Sequence, residues 1–546
     1  MIRSGLLLLL TVLLCCRVPA QTSDDRRCSN NPARAWWKAG YYYISLGIDT
    51  STGYLHGEVL IRGSVTGIPV DSLQIDLQEP LKITSVQYRG ALQQSNGYRA
   101  VSRMERYGDA YYIFDRDFQA LKTGDSFTLV IGYEGYPVKA TRAPWDGGLV
   151  MEKDNKGKAW IGMACQGQGA SIWLPCKDFQ GEEPDSIALK LIVPAGMQAI
   201  GNGRLTDIQK SEAADSWLWK VRNPINLYDI SFYLGDYVHW SDTLQGAKGP
   251  LSLDYYVLRP NLARAKAQFK VVKPMLRCFE EKLGPYPFYE DGYKLVESPY
   301  LGMEHQSAVA YGNGYQMGYK GKDRSRTGAG LDFDYIIVHE SGHEWFGNNI
   351  TAYDKADTWI QEGFTTYTET IFEECQKGRD RAFLYQRGKK YIVRNDRPVQ
   401  GQYGACDEGS GDHYEKAALM IHMIRQIVAD DARFFGMLKA MNQRFYHQTV
   451  NGSEVESFMS SYAGKDLSRI FNQYLRQTEP PVLALKWRKG VLQYQWKDCV
   501  PGFDMPIRIQ LDGQLVWLYP TETMMEMPLK KGKIVPDPDF LVNYEY

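Results

Sequence analysis

The stretch His339-Glu340-Ser341-Gly342-His343 restricts this chain more than any other. Histidines four positions apart share one face of a helix, about one turn from each other. The preceding residues Asp334-Tyr335-Ile336-Ile337-Val338 run into them as a helix-compatible apolar segment. That spacing suits two corners of a zinc tetrahedron, and Glu340 can lean over the metal's open position as a base. Eighteen residues separate His343 from Glu362, which sits in Asp357-Thr358-Trp359-Ile360-Gln361-Glu362-Gly363-Phe364. This segment also reads as a helix, with Trp359 and Phe364 packing inward. A third donor from a second helix leaves one position for water, the ligand count of catalytic zinc; structural zinc is closed by four protein ligands. The chain has only eight histidines, and no C-x-x-C spacing competes for the metal. One zinc ion per chain is therefore expected, on His339, His343 and Glu362.

At 546 residues the chain exceeds what one hydrophobic core supports, so several domains are expected. Strand-like text runs from about Trp36 to Tyr237. Leu73-Gln74-Ile75-Asp76-Leu77 alternates with period two, and Tyr54 to Val65 and Ser126 to Tyr133 have the length and turn spacing of paired strands. From about Leu262 the period becomes helical, as in Arg264 to Val272 and Lys416 to Ile427. Glu479-Pro480-Pro481 breaks that pattern, and Val482 to Trp487 and Ile507 to Leu511 return to strands. The expected division is a leader at 1–20, an all-β domain at 21–245, a mostly helical zinc domain at 246–478 and a small β domain at 479–546. A glycine-rich loop, Gly401 to Gly411, lies just before Tyr414.

The net charge of −1 and the lack of any basic run give no footprint for a nucleic-acid partner. Ile2-Arg3, the leucine-rich stretch Gly5 to Cys16 and Val18-Pro19-Ala20 before Gln21 have the layout of a secretory leader. Its apolar run is too short to span a bilayer comfortably, and no later stretch approaches that length. An exported mature chain, in the periplasm or the medium, is expected, without an integral membrane segment. Leu14 and Cys15 in front of the leader cysteines argue against lipoprotein anchoring. Nine cysteines minus the two in the leader leave seven; the odd number requires at least one thiol outside any intrachain pair.

With these motifs in place the sequence resembles the M1 zinc aminopeptidases, or gluzincins. The resemblance rests on His339, Glu340, His343 and Glu362 and on Trp345-Phe346-Gly347-Asn348. Trp359-Ile360-Gln361-Glu362-Gly363-Phe364 and Tyr414-Glu415-Lys416 add to it. Leu301-Gly302-Met303-Glu304-His305 resembles the family's exopeptidase motif, altered at both ends. Cys165-Gln166 with Trp173-Leu174-Pro175-Cys176 looks like its substrate-binding strand. The resemblance implies a multidomain α+β architecture: an N-terminal β-saddle, a thermolysin-like catalytic domain and a C-terminal β-sandwich. No counterpart of the family's large C-terminal helical domain follows, so a more open site, or one covered by a partner subunit, is expected.

The resemblance further implies the roles. Glu340 is the general base and Tyr414 the donor to the oxyanion. Glu304 takes the substrate's free α-ammonium, with Gln166 as a neutral acceptor beside it. Gly302, Met303 and His305 shape the substrate site. The expected activity is removal of N-terminal residues from peptides with a free N-terminus. The alternatives are an M1-type enzyme with endopeptidase or epoxide hydrolase activity, and an inactive peptide-binding relative.

Overall fold

The computed structural model describes residues 23–91, 97–488, 490–528 and 532–546; the expected leader lies outside them. The N-terminal unit is built on an eight-stranded sheet centred on the long strand Trp37–Ile48. This strand pairs antiparallel with Leu55–Val65 and parallel with Ser186–Pro194. Leu55–Val65 shows why the segment is a strand. Leu55, Val59, Ile61 and Val65 turn inward, while His56, Glu58 and Arg62 face water, the alternation of a sheet with one wet face. A four-stranded and a three-stranded sheet complete the unit.

Strand Tyr237–Gly246 reaches the expected boundary at 245/246. Tyr237–Gly246 forms a hairpin with Gly249–Leu258 in full register from Tyr237↔Leu258 to Gly246↔Gly249. That hairpin belongs to a five-stranded sheet continuing through Tyr293–Glu297 and Val309–Tyr311 to the edge strand Gly302–Met303. The change of period at Leu262 marks the helix Leu262–Gln268 that follows the hairpin.

Three helices frame the zinc motif: α1, Tyr335–Gly342; α2, Trp359–Lys377; and α3, Glu415–Val428. Every residue of α1 is buried, as is α2 from Trp359 through Glu373. The apolar run Tyr335–Val338 accounts for the burial of α1, whereas α2 also buries polar groups such as Glu362, Glu369 and Glu373. The disulfide Cys278–Cys375 fastens helix Val272–Leu283 to α2. A second, Cys28–Cys406, ties the N-terminal segment to the loop before Tyr414. Cys165, Cys176 and Cys499 remain as thiols.

The C-terminal strands form a four-stranded and a three-stranded sheet. Leu483, Leu492 and Trp496 of one join Ile507, Ile509 and Leu518 of the other in a single cluster. That cluster is continuous with the core around α1, α2 and α3. Each fully buried side chain of this size contributes about 1.5–3 kcal/mol, so the C-terminal sheets and the zinc helices support one another. Asp539 adds a polar tie, accepting from Arg387 Nε at 2.6 Å and Nη2 at 2.9 Å. Among the described residues no helix is long and apolar enough to cross a membrane.

Candidate active site

Helix α1 starts where the sequence says it can. Asp334, in extended conformation, caps it by accepting from the N–H groups of Ile336 and Ile337. Tyr311, Asn313 and Gln268 hold the same carboxylate at 2.7 to 2.8 Å. One turn apart on this helix, the His339 and His343 rings stand 5.0 Å between centroids. Past α1 the chain kinks through Glu344–Asn348, with Gly347 at φ +124°, a conformation that favours glycine. The kink turns the Phe346 carbonyl back onto His343 Nδ1 at 2.9 Å.

Glu362, in the first turn of α2, faces both imidazoles. Its Oε2 lies 3.5 Å from His339 Nε2 and 3.3 Å from His343 Nε2. His339 Nδ1 donates to Glu369 Oε1 at 2.7 Å. Both Nδ1 atoms are thus committed to acceptors, which leaves both Nε2 atoms facing Glu362. Glu369 is itself anchored by Tyr385 Oη at 2.6 Å and Lys389 Nζ at 2.9 Å. Burial would raise this carboxyl, but Lys389 and His339 hold it down at about 2.

The donor set fits a zinc ion. Ligand atoms of His339, His343 and Glu362 all lie within 4.8 Å of one another, and all three side chains are buried. Glu362 Oε2 has no hydrogen-bond donor among the described residues. Burial would lower His339, yet the nearby Glu362 carboxylate and its bond to Glu369 carry it up to about 10. Burial would raise Glu362, yet the two histidines pull it well below the usual carboxylate range. Carboxylates that draw positive charge into a buried site against desolvation also favour a cation there.

The edge strand Gly302–Met303 runs beside α1, and its alternation sorts the exopeptidase motif. Gly302 and Glu304 face the metal ligands. A Cβ on residue 302 would stand 2.6 Å from Glu340 Oε1 and 2.8 Å from Ile336 Cγ2, so glycine lets the strand lie against that carboxylate. Glu304, 4% exposed, groups with Glu340 and His343 within 4.8 Å, and Asn348 holds its backbone carbonyl at 2.8 Å. Burial raises both carboxyls, Glu340 to about 8.

Met303 and His305 point the other way, which corrects their expected place in the substrate site. Met303 packs into the core of the N-terminal unit. His305 is fully buried, its Nδ1 2.6 Å from Tyr233 Oη, and burial drives its imidazole down to about 3. Of the five residues, Leu301, Gly302 and Glu304 line the zinc-site cavity, while Met303 and His305 pack into the protein interior.

Tyr414 ends the loop before α3 and donates to Glu362 Oε1 at 3.0 Å. Burial first, then Glu362, pushes its phenol well above the usual range, so it remains a proton donor. Gln166 reaches the same space from the N-terminal unit. Glu304, Glu340, Tyr414 and the three ligands line a cavity of about 730 Å³. A narrower compartment opens beyond Glu304, walled by Gln166, Tyr228, Gln361 and the Cys28 segment. Glu369, Tyr385 and Lys389 escaped the sequence reading. Glu369 sits seven residues after Glu362, hence on the same face of α2, and that spacing was the available signal.

Residues 267–474 match the model of the peptidase family M1 domain, a span that contains all three ligands, Glu304, Glu340 and Tyr414. Leukotriene A-4 hydrolase of Xenopus laevis is 24% identical over 317 residues, 55% of this chain and 49% of its own length. Aminopeptidase N of Escherichia coli (strain K12) is 24% identical over 320 residues, 53% of this chain and 34% of its own. The chain therefore spans a third to a half of these curated relatives. The M1 zinc metallopeptidase of Deinococcus radiodurans shares the fold, with a TM-score of 0.67 at 19% identity. That match covers 82% of this chain and 95% of the other. Motif order, the matched domain and the shared fold agree: residues 267–474 carry a peptidase family M1 domain.

Proposed function

We propose that this chain is an exported zinc aminopeptidase that removes N-terminal residues from peptides. The observation that carries the reading is Glu304. A buried carboxylate stands within 4.8 Å of Glu340 and His343, one residue's reach from where a scissile carbonyl would meet the metal ligands. A substrate ammonium is the group that such a carboxylate binds, and a charged hydrogen bond of this kind contributes about 1.5–3 kcal/mol.

His339 Nε2, His343 Nε2 and Glu362 Oε2 would hold the ion. Bound there, zinc supplies Lewis acidity, polarising the substrate carbonyl and bringing the pKa of water near 7. Glu340 takes the proton from the attacking water and returns it to the leaving nitrogen. The Tyr414 phenol donates to the oxygen that gains charge. Gly302 and its neighbours form the open edge of their sheet, so their backbone groups can pair with an extended substrate. Gln166 supplies a neutral acceptor beside Glu304. The two disulfides support an oxidising compartment and hence export.

The test compares free and N-acetylated forms of one peptide amide, with and without a chelator, alongside metal analysis. The expected result is release of one amino acid from the free form alone, abolished by chelation, with one zinc per chain. Equal cleavage of the acetylated peptide would remove the role given to Glu304 and favour endopeptidase chemistry. A second measurement isolates Tyr414. Tyr414→Phe should lower kcat by about a hundred- to a thousand-fold with KM little changed. A kcat within a few-fold of wild type would reduce this tyrosine to a support for Glu362.

A further inference from the structure

Charge along the 730 Å³ cleft is divided between its two ends. At the inner end the buried carboxylates Glu304, Glu340 and Glu362 crowd together. The outer wall comes from two loops, around residues 322–326 and 391–394. They adjoin where Ser325 and Thr327 press against Gly388. These loops bring Lys322, Arg326 and Arg394 to the cavity, all exposed and none in an ion pair among the described residues.

The acids of the same wall are already engaged. Asp323 Oδ1 accepts from Ser325 N at 2.8 Å and Ser325 Oγ at 2.6 Å. Asp412 accepts from the N–H groups of Arg394 and Asn395 at 2.9 and 2.8 Å. Glu415 pairs with Arg324 Nη2 at 2.5 Å. The four basic groups of this wall, Lys322, Arg324, Arg326 and Arg394, outnumber its three carboxylates, and of the four only Arg324 is held in an ion pair among the described residues. Converging charges of one sign raise the local concentration of an opposite ion and orient it as it enters.

We propose that Arg326 and Arg394, with Lys322 beside them, bind a substrate carboxylate on the leaving side of the scissile bond. The reading rests on the aminopeptidase assignment above and deepens it. A peptide held by its ammonium at Glu304 runs outward past this wall. A short peptide then presents its C-terminal carboxylate there, and a longer one can present an Asp or Glu side chain. The cleft complements a small zwitterion: negative where the substrate is positive, positive where the substrate ends.

The experiment uses the full chain and three tripeptides with the N-terminal residue it turns over best. One is a free acid, one the C-terminal amide, and one the amide with Asp as its last residue. The matching aminoacyl p-nitroanilide, which has no carboxylate, is the control. The free acid should show a KM about three- to tenfold below that of the amide, an advantage that shrinks with added salt. Recovery of that advantage by the Asp amide assigns the site to carboxylates of either source, and its failure to recover assigns it to the C-terminus. The Arg326→Ala/Arg394→Ala variant should bring acid and amide together while leaving p-nitroanilide turnover unchanged. Arg326→Glu/Arg394→Glu should favour the amide. Equal KM for acid and amide in the wild type, with the p-nitroanilide still cleaved, overturns this proposal alone. Absence of turnover on every substrate, with zinc bound, overturns the aminopeptidase reading along with it.

Discussion

Glu340→Gln should keep its zinc and lose roughly a hundred- to ten-thousand-fold in kcat. The substitution preserves the shape of the side chain and removes only its ability to take and return a proton. Glu340 is not one of the three atoms that face each other in the ligand cluster, so the affinity for metal should stay close to wild type. Its carboxylate is also held in place: the Gly302 backbone lies against Oε1, and α1 fixes the backbone on both sides. A glutamine in that position meets the same neighbours, so KM should change little. The measurement pairs steady-state kinetics with metal analysis. A variant that retains full kcat would leave the metal site standing and end the proton-transfer role.

The second large effect separates a ligand from the residue that supports one. Glu362→Ala removes the only carboxylate of the ligand set and leaves the Tyr414 hydroxyl without its acceptor. Zinc should be lost to mild chelators, activity with it, and the melting temperature should no longer rise on adding zinc. Glu369→Gln leaves all three ligands in place but weakens the acceptor on His339 Nδ1. Supporting carboxylates of this kind contribute about ten- to a hundredfold to metal affinity. Competition against a chelator of known affinity gives both numbers. Equal losses for the two variants would show that Glu369 acts on the fold of α2 rather than through the imidazole. Glu369 also holds Tyr385 and Lys389, so the melting temperature of the zinc-loaded variant distinguishes these cases.

Much of this arrangement is legible without coordinates, and the reason is its locality. Histidines at i and i+4 need only a helix to share a face, and Asp334 and the apolar run after it announce that helix. Glu362 and Tyr414 lie beside helix starts, where the chain's own periodicity marks them. The progression from strands to helices and back to strands follows from period two giving way to three or four, which each segment displays on its own.

What escaped the sequence depends on neighbours distant along the chain. Met303 and His305 sit in a promising motif, but the side they face was settled by which unit packs on each surface of one edge strand. Tyr237–Gly246 reads as a strand wherever it is placed; its partner, Gly249–Leu258, brings it into the five-stranded sheet. The cysteine count required a leftover thiol, whereas the pairing of Cys28 with Cys406 joins residues 378 positions apart. Glu369 becomes a support for His339 only when α1 and α2 lie side by side. Short-range patterns of polarity and spacing are written residue by residue, so the ligands and the element types could be read directly. Orientation, pairing and the polarised cleft arise from burial shared between remote segments, and that free energy exists only once the chain has packed.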